Sequence, residues 1–192
     1  MKAVCFKEYG GPDKLIYGDA PDPVPGPGDV LVRVKACALN RLDVWLRMGI
    51  PGLEVPLPHI PGCDVAGVVE KTGARVMAAP GLSCGKCASC LSGGDHLCDQ
   101  YGILGQQRPG GYAELVAVPE ANLVPLPDHV SFEEAASFPL VFLTAWHMLV
   151  TLAKVKAGGD GVGAGGRKRG GHRRRSNRET AGGAGHRHRG VG

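Results

Sequence analysis

From Asp29 to Ala36 the chain sets Val32, Val34 and Ala36 against Arg33 and Lys35. This period-two alternation predicts a half-buried strand. Just before it, Pro21, Pro23, Pro25 and Pro27 with Gly26 and Gly28 exclude regular structure. Val65–Glu70 and Tyr112–Val118 read as further strands, the second ended by Pro119, which has no amide hydrogen to give to a ladder. Several short strands at this spacing predict a compact barrel or sandwich over residues 1–130. Ser131 followed by Glu133 and Glu134 predicts a helix start. Phe138–Val155 then carries few polar residues at helical spacing, which predicts a buried helix leaving the barrel for a second domain.

After Lys156 the patterning stops. Residues 157–192 hold 13 glycines and nine Arg or Lys, with Val162 and Val191 as the only large apolar side chains. Such a segment cannot offset the entropy of ordering itself, so a disordered basic Gly/Arg tail is expected. The formal charge of +4 is therefore misleading. The tail has nine basic against two acidic residues, and residues 1–156 have 13 basic against 16 acidic. The chain opens directly into strand-like sequence, with no signal peptide and no ~20-residue apolar stretch, so a cytoplasmic location off the membrane is expected.

In a reducing compartment a tight cysteine cluster reads as a metal site. Cys84, Cys87, Cys90 and Cys98 fall within fifteen residues, with two-residue gaps and Gly85, Gly93 and Gly94 between them. Zinc takes four thiolates tetrahedrally at ~2.3 Å, and a fully occupied shell leaves no open position, so the role is structural. The competing reading is a set of free or redox-active thiols.

The Cys-x2-Cys-x2-Cys-x7-Cys spacing resembles the structural-zinc lobe of the medium-chain, zinc-containing alcohol dehydrogenase and quinone oxidoreductase family. Pro61-Gly62-Cys63-Asp64-Val65-Ala66-Gly67 is similar to the family's Gly-His-Glu segment, Gly110-Gly111-Tyr112-Ala113-Glu114 to its Gly-x-Tyr-Ala-Glu strand, and Leu143-Thr144-Ala145-Trp146 to a helix start. The resemblance implies a mainly β fold with some α. It implies a GroES-like barrel lobe over 1–130 with its zinc loop at 80–100, and a helical lead over 131–156 into a Rossmann domain. It also implies one structural Zn2+ per chain, NAD(P) in the intact parent enzyme, a small alcohol, carbonyl or quinone substrate, and a homo-oligomeric parent.

The family's zinc enzymes hold a second, catalytic zinc with three protein ligands. The resemblance places those positions on Asn40, Cys63 and Leu140, with the neighbouring Glu on Asp64. Leucine cannot bind metal and a neutral Asn is a poor zinc ligand, so no catalytic zinc is expected. The Ala38-Leu39-Asn40-x-x-Asp43 arrangement instead resembles the quinone and enone reductase branch, where Asn40 and Asp43 would orient substrate or the nicotinamide ribose and Thr144 would lie against the cofactor. The residues themselves leave plainer roles open: Asp43 as the cap of a short helix beginning at Val44, and Cys63 as a small core residue.

Two departures stand out. Only Lys71-Thr72-Gly73-Ala74 separates Glu70 from Arg75 where the family has a longer turn, so a short piece of barrel reads as missing, and a lost connection can shift strand register. And Val155-Lys156-Ala157-Gly158-Gly159-Asp160 resembles the lead into a Rossmann strand, yet the Gly/Arg tail follows. Codons compatible with Arg167–His172, read one nucleotide later, give Gly-Ser-Gly-Val-Gly-Ile. The same shift through Arg173–Thr180 and Gly183–Arg189 can give a helix and a second strand of that domain. A frameshift that replaced the cofactor domain is therefore expected, and nucleotide sequencing there tests it. On this reading the chain is an oxidoreductase lobe with little activity alone. The alternative is a zinc-structured nucleic-acid-binding or interaction module using the basic tail. Against nucleic acid as a partner, the tail has no aromatic residue to stack on bases.

Overall fold

The computed structural model describes residues 1–156. The chain divides into two units, Met1–Leu140 and Val141–Gly192. The first unit is built on a five-stranded antiparallel sheet in the order β8-β3-β4-β5-β9. Its strands are β3 (Asp29–Ala38), β4 (Asp64–Val69), β5 (Arg75–Ala78), β8 (Leu115–Pro119) and β9 (Leu123–Pro125). Two short pairs flank it: β1 (Lys2–Cys5) with β2 (Ile16–Asp19), and β6 (Gly81–Leu82) with β7 (Gly102–Ile103). The expected strands are present with bounds moved by a few residues, and Pro119 closes β8 opposite Asp29.

Both faces of the sheet are covered. Val32, Val65, Val69, Val76, Ala78, Val116 and Val118 form the main core with Leu82 and Leu104. On the opposite face Ala66 packs with Ala36, Ala38 and Met77 against Ala135, Ala136 and Phe132 of α3 (Phe132–Ala136). The small side chains let that helix lie close to the strands. The helix starts as its sequence indicates: Ser131 Oγ accepts the Glu134 amide hydrogen at 3.2 Å and the Glu134 carboxylate reaches back to the Ser131 amide at 3.0 Å.

The short β4–β5 connection does not disturb the register. Ala66 pairs with Met77 and Val68 with Arg75, the turn closes through the Val69 amide on the Ala74 carbonyl at 2.9 Å, and Val76 and Ala78 still face the core. The pairing next to the turn is regular, so the short connection does not break the ladder. A bulge lies instead in β3 between Val34 and Ala36. Beside it the β4 backbone passes so close to β3 that a Cβ at Gly67 would collide with the Arg33 carbonyl oxygen and sit 3.0 Å from Val32 Cγ1. Neither strand can retreat without breaking its ladder. Gly67→Ala should therefore cost about 3 kcal/mol, read as a lowered midpoint in chemical denaturation.

The apolar run after Phe138 departs from expectation. It is not one buried helix. α3 ends near Ser137, and Pro139, which tolerates only the first turn of a helix, opens α4 (Pro139–Trp146). A π-helical stretch follows over His147–Leu152, with the Ala153 amide bonded to the Met148 carbonyl. Leu143, Trp146, Leu149 and Leu152 are exposed. The spacing correctly signals helix, but apolarity alone does not state what covers it. No helix among the described residues is long and apolar enough to cross a membrane. The expected tail and frameshift fall on residues outside those described.

Candidate functional site

The cysteine cluster lies in the loop between β6 and β7 of the first unit. β6 and β7 pair two residues each at the base of the loop, Gly81 opposite Ile103 and Leu82 opposite Gly102. Between them stand α2 (Ala88–Leu91) and a 3-10 turn at Asp95–Leu97. All four sulfurs lie within 4.8 Å of one another, with Cys84 to Cys90 at 3.9 Å and Cys87 to Cys90 at 3.4 Å. A tetrahedron with ~2.3 Å metal–sulfur bonds has edges of ~3.8 Å, so this donor set fits zinc. Backbone amides serve the sulfurs directly: the Cys87 amide donates to Cys84 Sγ at 3.3 Å and the Gln100 amide to Cys98 Sγ at 3.4 Å. The Lys86 and Cys87 amides hold the Cys84 thiol down to about 6, so it is a thiolate at neutral pH, the form a metal takes. Cys98 is the buried member of the set.

The second cluster is assembled from three distant pieces of chain. α1 (Arg41–Met48) has Asn40 as its N-cap, one turn earlier than the expected start at Val44, because Asp43 occupies the third helical position and returns its carboxylate to the Asn40 amide at 2.6 Å. The same carboxylate accepts from the Gly62 amide at 3.1 Å and from the Tyr112 hydroxyl at 2.8 Å. The Asn40 carboxamide nitrogen donates to Asp64 Oδ2 at 2.9 Å and to Cys63 Sγ at 3.4 Å. Asp64 Oδ1 accepts the Leu140 amide at 2.8 Å.

Burial separates the roles these residues can play. Cys63 is 0% exposed, Asp64 1% and Asp43 8%, whereas Asn40 is half-buried. Burial pushes the Asp64 carboxyl up, opposed by the Asn40 and Leu140 donors and reinforced by the nearby Asp43. Burial likewise pushes the Cys63 thiol up, with Asp64 and Asp43 adding to it, so at neutral pH it is a thiol and not a thiolate. Asn40, Asp43, Cys63 and Asp64 thus come together as one network, with Asn40 as the member that reaches the surface. Thr144 lies exposed on α4 in the second unit. The sequence reading missed Tyr112 as a hydrogen-bond donor to Asp43, and it missed Gly62 and Leu140 as backbone donors. The Gly110-Gly111-Tyr112 run was the available signal. Leu140 enters through its amide, which no side-chain inventory would reveal.

A nearby buried histidine gives the lobe a pH response. His59 is 3% exposed, packs on Phe6 with ring centroids 5.6 Å apart, and meets the Gly105 carbonyl through Nε2 at 3.0 Å. Burial lowers its pKa below the ordinary 6.5, partly offset by the Gly105 carbonyl. The unfolded chain therefore takes up the proton first, and folded stability must fall as pH drops below 6.5. Denaturant melts at successive pH values should show this fall, and the difference between wild type and His59→Gln isolates it.

A family model described as "Alcohol dehydrogenase GroES-like domain" matches residues 26–128. The chain is 37% identical over 131 residues to L-threonine 3-dehydrogenase of Rhizobium etli, covering 62% of this chain and 38% of that one. It is 33% identical over 159 residues to quinone oxidoreductase of Homo sapiens, covering 82% and 43%. Among solved structures, an NAD-dependent alcohol dehydrogenase superposes with a TM-score of 0.78 at 51% identity, covering 81% of this chain and 48% of that one. The cobalt- and zinc-bound thermostable alcohol dehydrogenase of Pyrobaculum aerophilum superposes at 0.72 with 37% identity, covering 79% and 48%. The chain thus spans between 38% and 48% of the length of these relatives.

Proposed function

Because this chain belongs to the alcohol dehydrogenase family through its GroES-like domain, we propose that it is the substrate-side lobe of an NAD(P)H-dependent oxidoreductase, of the branch that reduces quinones and conjugated carbonyls without a catalytic zinc. The supporting observation is the direction of the Asn40 carboxamide. A catalytic zinc needs three protein donors turning lone pairs toward the metal. Here the Asn40 nitrogen turns its hydrogens toward Cys63 Sγ and Asp64 Oδ2, and Leu140 offers only an amide hydrogen, already given to Asp64 Oδ1. These donors and acceptors are matched to one another. Among the described residues, the one group of three or more ligating side chains that could hold a metal is Cys84, Cys87, Cys90 and Cys98.

In this reading residues 1–130 form the lobe, 131–156 lead toward a cofactor-binding part, and the nicotinamide supplies the hydride when bound. Asn40 meets substrate or the nicotinamide ribose, Asp43, Cys63 and Asp64 support it from beneath, and Thr144 faces the cofactor. Residues 157–192 carry no strand, glycine-rich loop and helix pattern of the kind that seats a pyrophosphate, so the 192-residue chain has little affinity for NADPH by itself. Two measurements test this. Saturation-transfer NMR with a soluble naphthoquinone and a primary alcohol should show contact with the quinone, and contact with the alcohol alone would overturn the substrate class. Fluorescence titration with NADPH should show no saturable binding, and saturable binding with quinone turnover would contradict the cofactor statement.

A further inference from the structure

Asp43 joins two segments that the sequence keeps apart. Oδ2 accepts the Asn40 amide at 2.6 Å, and Oδ1 accepts the Gly62 amide at 3.1 Å, immediately before Cys63 and Asp64. These are the two segments whose side chains meet in the Asn40 carboxamide bonds. A carboxylate has about four lone-pair sites and can rotate among them unless its partners fix it. Two of its partners are backbone amides. The third is a side-chain hydroxyl, Tyr112 Oη, which donates to Oδ2 at 2.8 Å from the strand-like segment before β8. The Tyr112 ring is itself fixed. It packs against Gly62, where a Cβ would sit 2.5 Å from Tyr112 Cδ1 and 2.9 Å from the Tyr112 amide nitrogen. Only a glycine at 62, itself at φ +101°, allows the ring this approach. Burial first, and then the negative Asp43 facing it, push the Tyr112 phenol well above its ordinary range, so the hydroxyl remains a donor at any working pH.

We propose that Tyr112 is a positioning residue: its hydroxyl locks the Asp43 carboxylate, which holds the Asn40 and Gly62 backbones in register, and so keeps the Asn40 carboxamide turned with its nitrogen toward Cys63 and Asp64. The ring gives packing and the hydroxyl gives orientation. The two contributions are separable because phenylalanine keeps the first and deletes the second. The role rests on reading Asn40 as the group that meets substrate or cofactor, but the geometry it asserts does not depend on turnover.

The test is a 15N-labelled sample of the full chain with the Asn40 side-chain amide pair assigned by its loss in Asn40→Ser. In wild type that pair should exchange slowly with solvent and show contacts to the Cys63 β-protons. In Tyr112→Phe the pair should move toward the values of a solvent-exposed asparagine and exchange faster, with the Gly62 amide shifting as well, while resonances of the sheet core stay in place. An unchanged Asn40 pair in folded Tyr112→Phe, whatever its stability, overturns the proposal by reducing Tyr112 to a packing residue. Should Tyr112→Phe not fold, wild type decides alone: fast exchange of the Asn40 pair, or no contact with Cys63, overturns it, and slow exchange with that contact supports it. Failure of quinone or NADPH binding would leave these signals untouched, so the two readings fail separately.

Discussion

Asp43→Ala should destabilise the lobe by about 4 kcal/mol, because it removes the common acceptor of three donors and leaves them without partners. The Asn40 amide, the Gly62 amide and the Tyr112 hydroxyl all end on this carboxylate, which is 8% exposed. Each orphaned buried donor costs roughly 1–3 kcal/mol, and the sum is reduced where water or local relaxation reaches them. Asp43→Asn keeps the shape and one acceptor oxygen but turns an NH2 toward a donor, so it should cost less than alanine and more than a surface substitution. Urea melts of the two variants check the order. A loss below ~1 kcal/mol for Asp43→Ala, the range of ordinary surface changes, would mean the network is ornamental.

The second large effect is expected at the zinc loop. Cys98→Ser, or a strong chelator, should release the metal and leave residues 83–101 open to proteolysis while the five-stranded sheet stays folded. The loop has little apolar material to hold it. Leu91 and Leu97 are 75% and 67% exposed, α2 is four residues long, and the core contacts sit at its two ends in Leu82 and Leu104. A segment with so little burial cannot offset its own ordering entropy. The metal–thiolate bonds supply what burial does not, as they do in small zinc domains. Limited proteolysis with mass mapping should therefore locate the first cuts between β6 and β7, and cuts spread evenly over the sheet would contradict this.

How far the sequence discloses such features depends on whether the signal is local. The alternation around Val32 and Val34 locates β3, the Ser131–Glu134 capping box locates α3, and the cysteine spacing locates the metal site, because each signal lies within one element or loop. The Asp43 network has no local signature. Its donors come from residues 40, 62 and 112, and two of the three are backbone groups that carry no side-chain identity. The start of α1, three residues earlier than expected, follows from the same cause: Asp43 looks like a cap, and only the fold shows it acting from inside the helix. The run after Phe138 shows the opposite failure. Its periodicity is real, yet burial is a property of what packs against a helix, and the chain pattern does not contain that. The shortened turn after Glu70 misleads because loop length does not fix register when the pairing residues on both sides are intact.

On the proposed function, the lobe holds one structural metal, and a hydrogen-bonded asparagine stands where a catalytic metal would. Metal analysis of purified chain at neutral pH, after exchange into zinc-containing and then metal-free buffer, tests it most directly. Close to one tightly held zinc per chain is expected, lost entirely in Cys98→Ser and unaffected by Cys63→Ala. Two zinc atoms per chain, with the second lost in Cys63→Ala, would contradict it.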